Sequence, residues 1–186
     1  MNSEQLTPSS RRRRSIRLKG YDYTSEGGYF ITIVTYNRQP LFGGIIDGEM
    51  HLTDLGTIAQ EEWFHTAQMR PYIEIFDDEF VVMPDHIHGI IWHTGRGTAR
   101  RAPTIDPPIE QFGKPVPGSI PTIIRAYKSS VTKRINTLLN TPSSPVWQRN
   151  YYEHIITSDR EYESVIEYIH NNPLNWALDQ ENPDHL

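Results

Sequence analysis

His86-Ile87-His88 stands inside an apolar, strand-like run that extends from Phe80 to Trp92. Successive strand side chains point to opposite faces, so residues i and i+2 share a face about 6.6 Å apart. Two imidazoles at that spacing can converge on one cation, while Ile87 turns the other way, into a core. Such a pair is half of a metal site and favours an enzyme over a scaffold. The plainer alternative is two polar residues on the wet face of a half-buried strand. Against it stands a candidate for the other half of the site, far downstream.

Ser158-Asp159-Arg160-Glu161 has the S-x-x-E pattern of a capping box and opens a predicted helix. That helix should run through Tyr162, Val165, Ile166, Tyr168 and Ile169 and stop near Asn172-Pro173, because the residue before a proline resists helical geometry. Tyr162, Val165, Ile166 and Ile169 average to one core-facing direction, and Tyr168 lies roughly 110° away from it. Asn172, four residues later, falls within about 40° of Tyr168, so a phenol and an amide share one edge of the helix. Taken alone, Tyr168 is an ordinary flanking tyrosine and Asn172 a helix cap. Taken with the histidines, two imidazoles and an amide oxygen are three neutral ligands, which leave a divalent cation its full charge and open positions. A cation so held can polarise a phosphodiester oxygen. The phenol could then displace a 3′ oxygen and keep the DNA 5′ phosphate. A phenol with a pKa near ~10 needs activation, and the sequence identifies no general base.

Length and composition bound the reading. The 186 residues fit one domain with tails. The formal charge of −5 is unevenly spread: residues 1–20 and 114–160 each carry +5, so both can dock a polyanion. There is no cysteine, hence no disulfide framework or thiolate chemistry. No apolar run approaches the ~18 residues of a membrane span, and the arginine-rich start lacks the apolar stretch of a secretory signal. The expectation is a soluble, cytoplasmic protein.

The elements that must position these groups are also legible. Residues 1–15, with Arg11 to Arg14, read as a disordered basic arm, 16–178 as one domain, and 179–186 as a tail. Tyr29–Tyr36 reads as a central strand and Gly43–Leu52 as a hairpin turning at Asp47-Gly48. Thr53 should cap a helix to about Met69, followed by a strand at 72–76 and the histidine strand at 79–93. Proline and glycine mark 94–120 as a long mobile loop. From Thr122 to Leu139 the apolar residues Ile124, Tyr127, Val131, Ile135 and Leu138 keep the helical period. The opposite side of that helix presents Arg125, Lys128 and Lys133, candidate DNA contacts together with Arg149 and with Tyr151 and Tyr152, which could stack on unpaired bases. Trp147 reads as packing. His93, His154 and His170 are left out of the ligand set. Strands and helices interleave with hairpins among the strands, so an α+β sandwich on a mostly antiparallel sheet is expected.

Met83-Pro84-Asp85-His86-Ile87-His88-Gly89-Ile90 resembles the HUH motif of single-tyrosine transposases. Val146–His154 and Glu167–Pro173 resemble the REP-associated tyrosine transposases within that group, as do Tyr21-Asp22-Tyr23, Thr35–Arg38 and Tyr127-Lys128-Ser129. The resemblance spans about residues 20–178. It implies a ferredoxin-like α+β domain acting on single-stranded DNA near an imperfect hairpin, in repetitive palindromic elements. It further implies metal binding by His86 and His88 with Asn172 completing the site, Mg²⁺ or Mn²⁺ as the metal, and Tyr168 as the nucleophile that forms a transient 5′-phosphotyrosine. A monomer is expected, with a dimer as the alternative. Two rivals remain: a domesticated hairpin-binding protein without turnover, and a metal-dependent hydrolase using water. The second lacks the carboxylate cluster that two-metal nucleases need.

Overall fold

A computed structural model describes residues 21–95 and 116–176. The basic arm at 1–15, the tail at 179–186 and most of the 94–120 loop lie outside the described residues.

The β-branched and aromatic segment Gly27–Val34 forms strand β1, at the centre of the main sheet. The ribbon β2 (Gly43–Ile46) and β3 (Glu49–Leu52) turns at Asp47-Gly48, both with positive φ (53° and 81°), as a tight hairpin turn requires. Helix α1 (Asp54–Gln68) follows, its Thr53 hydroxyl accepting from the Gly56 N–H. Next come β4 (Ile73–Glu74), β5 (Phe80–Val82), β6 (His86–His93), α2 (Ile120–Leu139), β7 (Tyr152–Ile156) and α3 (Asp159–Asn175).

The predicted histidine strand 79–93 is in fact two strands, β5 and β6, folded back on each other with Val82 opposite Ile87. Pro84 has no N–H to give a ladder, and the Met83 N–H bonds back to the His86 carbonyl across the turn. The strand expected at 72–76 is reduced to two residues, and α2 starts two residues early because Pro121 suits a first helical turn.

In the main sheet β6 lies between β1 on one side and β4 and β5 on the other, β7 flanks β1, and all pairs are antiparallel. With α1 and α2 as crossovers this is the ferredoxin-like α+β sandwich that was expected. The strand alternation then sorts side chains into two layers. Tyr29, Ile31, Ile33, Ile87 and Ile91 face α1 and α2 and join the main core around Trp63, Tyr127 and Trp147. Trp147 is thus packing, as expected. Phe30 and Ile90 face the other way and receive Ile169 of α3, with Tyr162, Val165 and Ile166 packed around them.

Gly89 marks a close approach in the main core. A Cβ built there would sit 2.5 Å from Trp63 Cζ2, so the absence of a side chain lets the indole lie against β6. Among the described residues no helix is long and apolar enough to cross a membrane.

The cores also bury phenols. Burial pushes the pKa of Tyr29 and Tyr127 well above the ordinary value. Tyr162 is pushed up to about 12, first by its hydrogen bond to Glu79 and then by burial. In the unfolded chain all three ionise near pH ~10. The stability they contribute is therefore complete below that pH and is lost as pH rises toward the folded values, because the unfolded chain sheds protons that the folded chain keeps. Spectrophotometric titration should show part of the phenolate signal arriving only with cooperative unfolding above pH ~10. A smooth titration of every tyrosine in a still-folded protein would contradict this packing.

Candidate active site

Strand register places the chemistry. β1 and β6 pair with Thr32 opposite His88 and Val34 opposite His86, so Thr32, His86 and His88 lie on the layer that faces α3. Both histidines are buried, and their Nε2 atoms stand 2.9 Å apart. The phenolic oxygen of Tyr168, half exposed on α3, is 3.2 Å from His88 Nε2. The two imidazoles and the phenol expected to meet do meet. Phe30 stacks on the His88 ring with centroids 5.5 Å apart and meets the Tyr168 ring edge-on at 6.0 Å, filling the floor between them.

α3 does not stop at Asn172 as expected. It runs through Pro173 to Asn175, with Trp176 buried behind it and its ring 5.9 Å from that of His86. Docking of Trp176 against the histidine outweighs the hydrogen bond that the proline removes. Tyr168, Asn172 and Trp176 are spaced by four and so share one face of the helix. Since Tyr168 touches His88 and Trp176 faces His86, buried Asn172 sits between two residues that both reach the histidine pair.

The N-terminus of α3 is fixed by the capping box. The Ser158 hydroxyl accepts from the Glu161 N–H, and Glu161 in turn accepts from Thr157 and pairs with His154. These bonds, that of the Thr157 backbone first, hold the Glu161 carboxyl down at about 2. Buried Glu79 accepts from Trp92 Nε1 at 2.6 Å and from the Tyr162 hydroxyl at 2.7 Å, and His170 bonds the Asp78 carbonyl at 2.8 Å. His154 and His170 are thus occupied in docking the helix, and His93 bonds the Gly118 carbonyl.

The six candidate DNA contacts do not form one surface with the histidines. Arg125, Lys128 and Lys133 belong to α2, on the other side of the sheet. Lys128 donates to the carbonyls of Gln148, Arg149 and Asn150, and burial draws its pKa to about 8. Its first role is to hold the segment leading into β7. Arg149 is exposed in that segment. Tyr151 packs on the main core and its hydroxyl donates to Glu153, whereas half-exposed Tyr152 lies opposite Thr32, on the layer of the histidines.

No family model matches the chain. It is 43% identical over 173 residues to an uncharacterised protein of Haemophilus influenzae, covering 90% of this chain and 92% of the relative, so the two belong to one family. A second Haemophilus influenzae protein, provisionally named a REP-associated tyrosine transposase, is 25% identical over 153 residues, covering 82% of this chain and 73% of that one. The solved structure of a REP-associated tyrosine transposase bound to a REP hairpin superposes with a TM-score of 0.53 at 21% identity, covering 87% and 72% of the two chains. The chain has the transposase-like fold of that structure.

The donor set in this transposase-like fold fits a divalent cation. Two nitrogens sharing a cation at right angles, each ~2.1 Å from it, stand ~3 Å apart, close to the observed separation. His88 is held neutral, its pKa brought well below the ordinary value by burial and then by the neighbouring His86. No cluster of three His, Cys, Asp or Glu occurs among the described residues, and buried Asn172 lies on the helix face that Tyr168 and Trp176 turn to the histidines.

Three contributors escape sequence reasoning. Asp85 is fully buried, its carboxylate 2.5 Å from His86 Nδ1 and 3.3 Å from Arg38 Nη1. Strand alternation would put a neighbour of His86 on the opposite face; Asp85 reaches it because it lies in the turn before β6. Thr32, whose hydroxyl is 2.8 Å from His88 Nδ1, is 56 residues away in sequence, and only the register joins them. Trp176 lies past the proline that was expected to end the helix.

Proposed function

We propose that this chain is a cation-dependent enzyme that nicks and rejoins single-stranded DNA at hairpin-bearing repeats through a transient 5′-phosphotyrosine. The observation that carries this reading is the placement of the Tyr168 hydroxyl 3.2 Å from His88 Nε2, with His86 Nε2 2.9 Å beyond. A phenol has no structural need of two buried imidazoles, whereas a nucleophile aimed at a phosphodiester needs a charge-stabilising centre beside it. The relative solved with a REP hairpin supports hairpin DNA as the partner.

In this reading His86, His88 and Asn172 hold Mg²⁺ or Mn²⁺, which supplies Lewis-acid polarisation of the phosphodiester oxygen. Tyr168 supplies the nucleophile. Its oxygen attacks phosphorus, the bond to the 3′ oxygen breaks, that oxygen leaves protonated as a 3′ hydroxyl, and the tyrosyl proton passes to water. Attack by a second 3′ hydroxyl reverses the step and joins strands without an external energy source. Phe30 and the Glu79–Tyr162 bond keep the phenol on target. Half-exposed Tyr152, on the same layer, is placed to stack on a base beside the attacked phosphate.

The test is incubation of the full chain with an end-labelled hairpin oligonucleotide carrying a single-stranded flank, in Mg²⁺ or Mn²⁺, followed by a denaturing gel. A covalent protein–DNA band is expected. Binding in a native gel with no such band in either metal would leave a hairpin-binding protein without turnover. His86→Ala should lower the covalent yield by at least ~100-fold while the circular dichroism spectrum stays that of the folded chain.

A further inference from the structure

Asn37 and Arg38 both take a left-handed backbone, with φ of 55° and 53°, in a tight turn closed by the Gln39 N–H on the Tyr36 carbonyl. A turn with successive positive φ angles calls for Asn-Gly: asparagine suits the first place, and only glycine takes the second without strain. Here the second place holds arginine. Bonds that do not involve its side chain already fix the turn. The Thr35 N–H donates to the Asp85 carbonyl at 2.7 Å, the Tyr36 N–H to the Val146 carbonyl at 2.8 Å, and the Thr35 hydroxyl to the Gln39 carbonyl at 2.8 Å. Glycine would serve that shape better, so the arginine is there for its side chain.

Part of that side chain's task is plain. Arg38 Nη1 reaches buried Asp85 Oδ2 at 3.3 Å, a single long contact rather than the short paired bonds of a bidentate ion pair. A guanidinium has further N–H donors to give, and this side chain is 34% exposed. Tyr36, at the head of the same turn, is 42% exposed. Contacts run from Arg38 through Asp85 to His86 Nδ1, and on from His86 Nε2 to His88 and Tyr168. The turn thus borders the candidate site on the Nδ1 side of His86, with the phenol beyond Nε2. We propose that Arg38 and Tyr36 form a binding subsite for the single-stranded flank of the DNA: the guanidinium, still braced on Asp85, takes a phosphate flanking the attacked one, and the Tyr36 ring stacks on the adjoining base. A fixed cation and an aromatic face on one turn suit a single strand, whose backbone is charged and whose bases are unpaired. This subsite rests on the DNA reading above and needs no divalent cation.

The experiment measures binding of the full chain to a hairpin oligonucleotide with a single-stranded flank, in EDTA so that nicking plays no part. Arg38→Gln, whose amide can still donate to Asp85, should weaken binding by ~10-fold. It should also flatten the slope of log affinity against log salt by ~0.7, the value for one phosphate on a single strand. Tyr36→Ala should weaken binding by ~5–100-fold, and Tyr36→Phe should keep the wild-type affinity. Each loss should trace to one place in the DNA. A neutral methylphosphonate at a single flank position should abolish the effect of Arg38→Gln, and an abasic nucleotide beside it the effect of Tyr36→Ala. An arginine that served only Asp85 could not give that coupling.

Losses that persist undiminished at every methylphosphonate and abasic position would overturn the subsite, as would wild-type affinity in either Arg38→Gln or Tyr36→Ala. Should Arg38→Gln fail to fold, the abasic scan of Tyr36→Ala decides, because an exposed ring can be cut back without opening the core. Position-specific coupling in a chain that gives no covalent band with Mg²⁺ or Mn²⁺ would keep the subsite and sink the nicking reading. Failure of the wild-type chain to bind the oligonucleotide would sink both.

Discussion

Tyr168→Phe gives a folded protein that still binds hairpin DNA and leaves no covalent band on a denaturing gel. The substitution removes one oxygen from a half-exposed ring, so stability should move by less than ~1 kcal/mol. The ring keeps its edge-on contact with Phe30 and its place beside His88. What disappears is the oxygen 3.2 Å from His88 Nε2. Among the described residues no other hydroxyl is placed at that nitrogen, so covalent adduct should fall by ~10³-fold or more, as expected when a nucleophile is deleted from a site whose members act as a unit. The neighbouring Tyr152→Phe is the control: it lies on the same layer and should keep the adduct. Cleavage by Tyr168→Phe at the wild-type rate would show that the nucleophile is elsewhere or that water attacks.

Trp63→Ala carries the largest expected effect on folding. The indole is fully buried, stacks on Phe80 with centroids 5.0 Å apart, meets Tyr127 edge-on at 5.3 Å, and lies in the space that Gly89 leaves open. Truncating such a residue costs about 3–5 kcal/mol, transfer and cavity terms together, against a total of about 5–15 kcal/mol for a domain. Urea unfolding should show a midpoint lowered accordingly, with Leu138→Ala, exposed on α2, shifting it little. A loss below about 1 kcal/mol would mean that the core between the crossover helices and the sheet is not where the stability resides.

Much of this was legible in the chain because it follows from local periodicity. Alternation in Gly27–Val34 and His86–His93, the 3.6-residue pattern of Ile124, Tyr127, Val131 and Ile135, and the capping box at Ser158 each report a neighbourhood within one element. Tyr168 could be placed off the core stripe by the same arithmetic. What failed is what periodicity cannot encode. Pro84 splits the histidine strand, a tertiary outcome of pairing β5 with β6. Pro173 does not end α3, because burial of Trp176 outweighs a local preference. Asp85 and Thr32 reach the imidazoles through a turn and a register, neither of which a single sequence displays.

The phenol and the nearer imidazole are separated by 80 positions along the backbone. During translation both histidines leave the ribosome long before the tyrosine exists, and the main core closes without any residue of α3. In the function proposed above, an unfinished polypeptide cannot nick DNA. The same holds for a product clipped after β7, which would retain its main core and lose the Tyr168 phenol. The last helix therefore acts as a time stamp: competence arrives only with the completed fold.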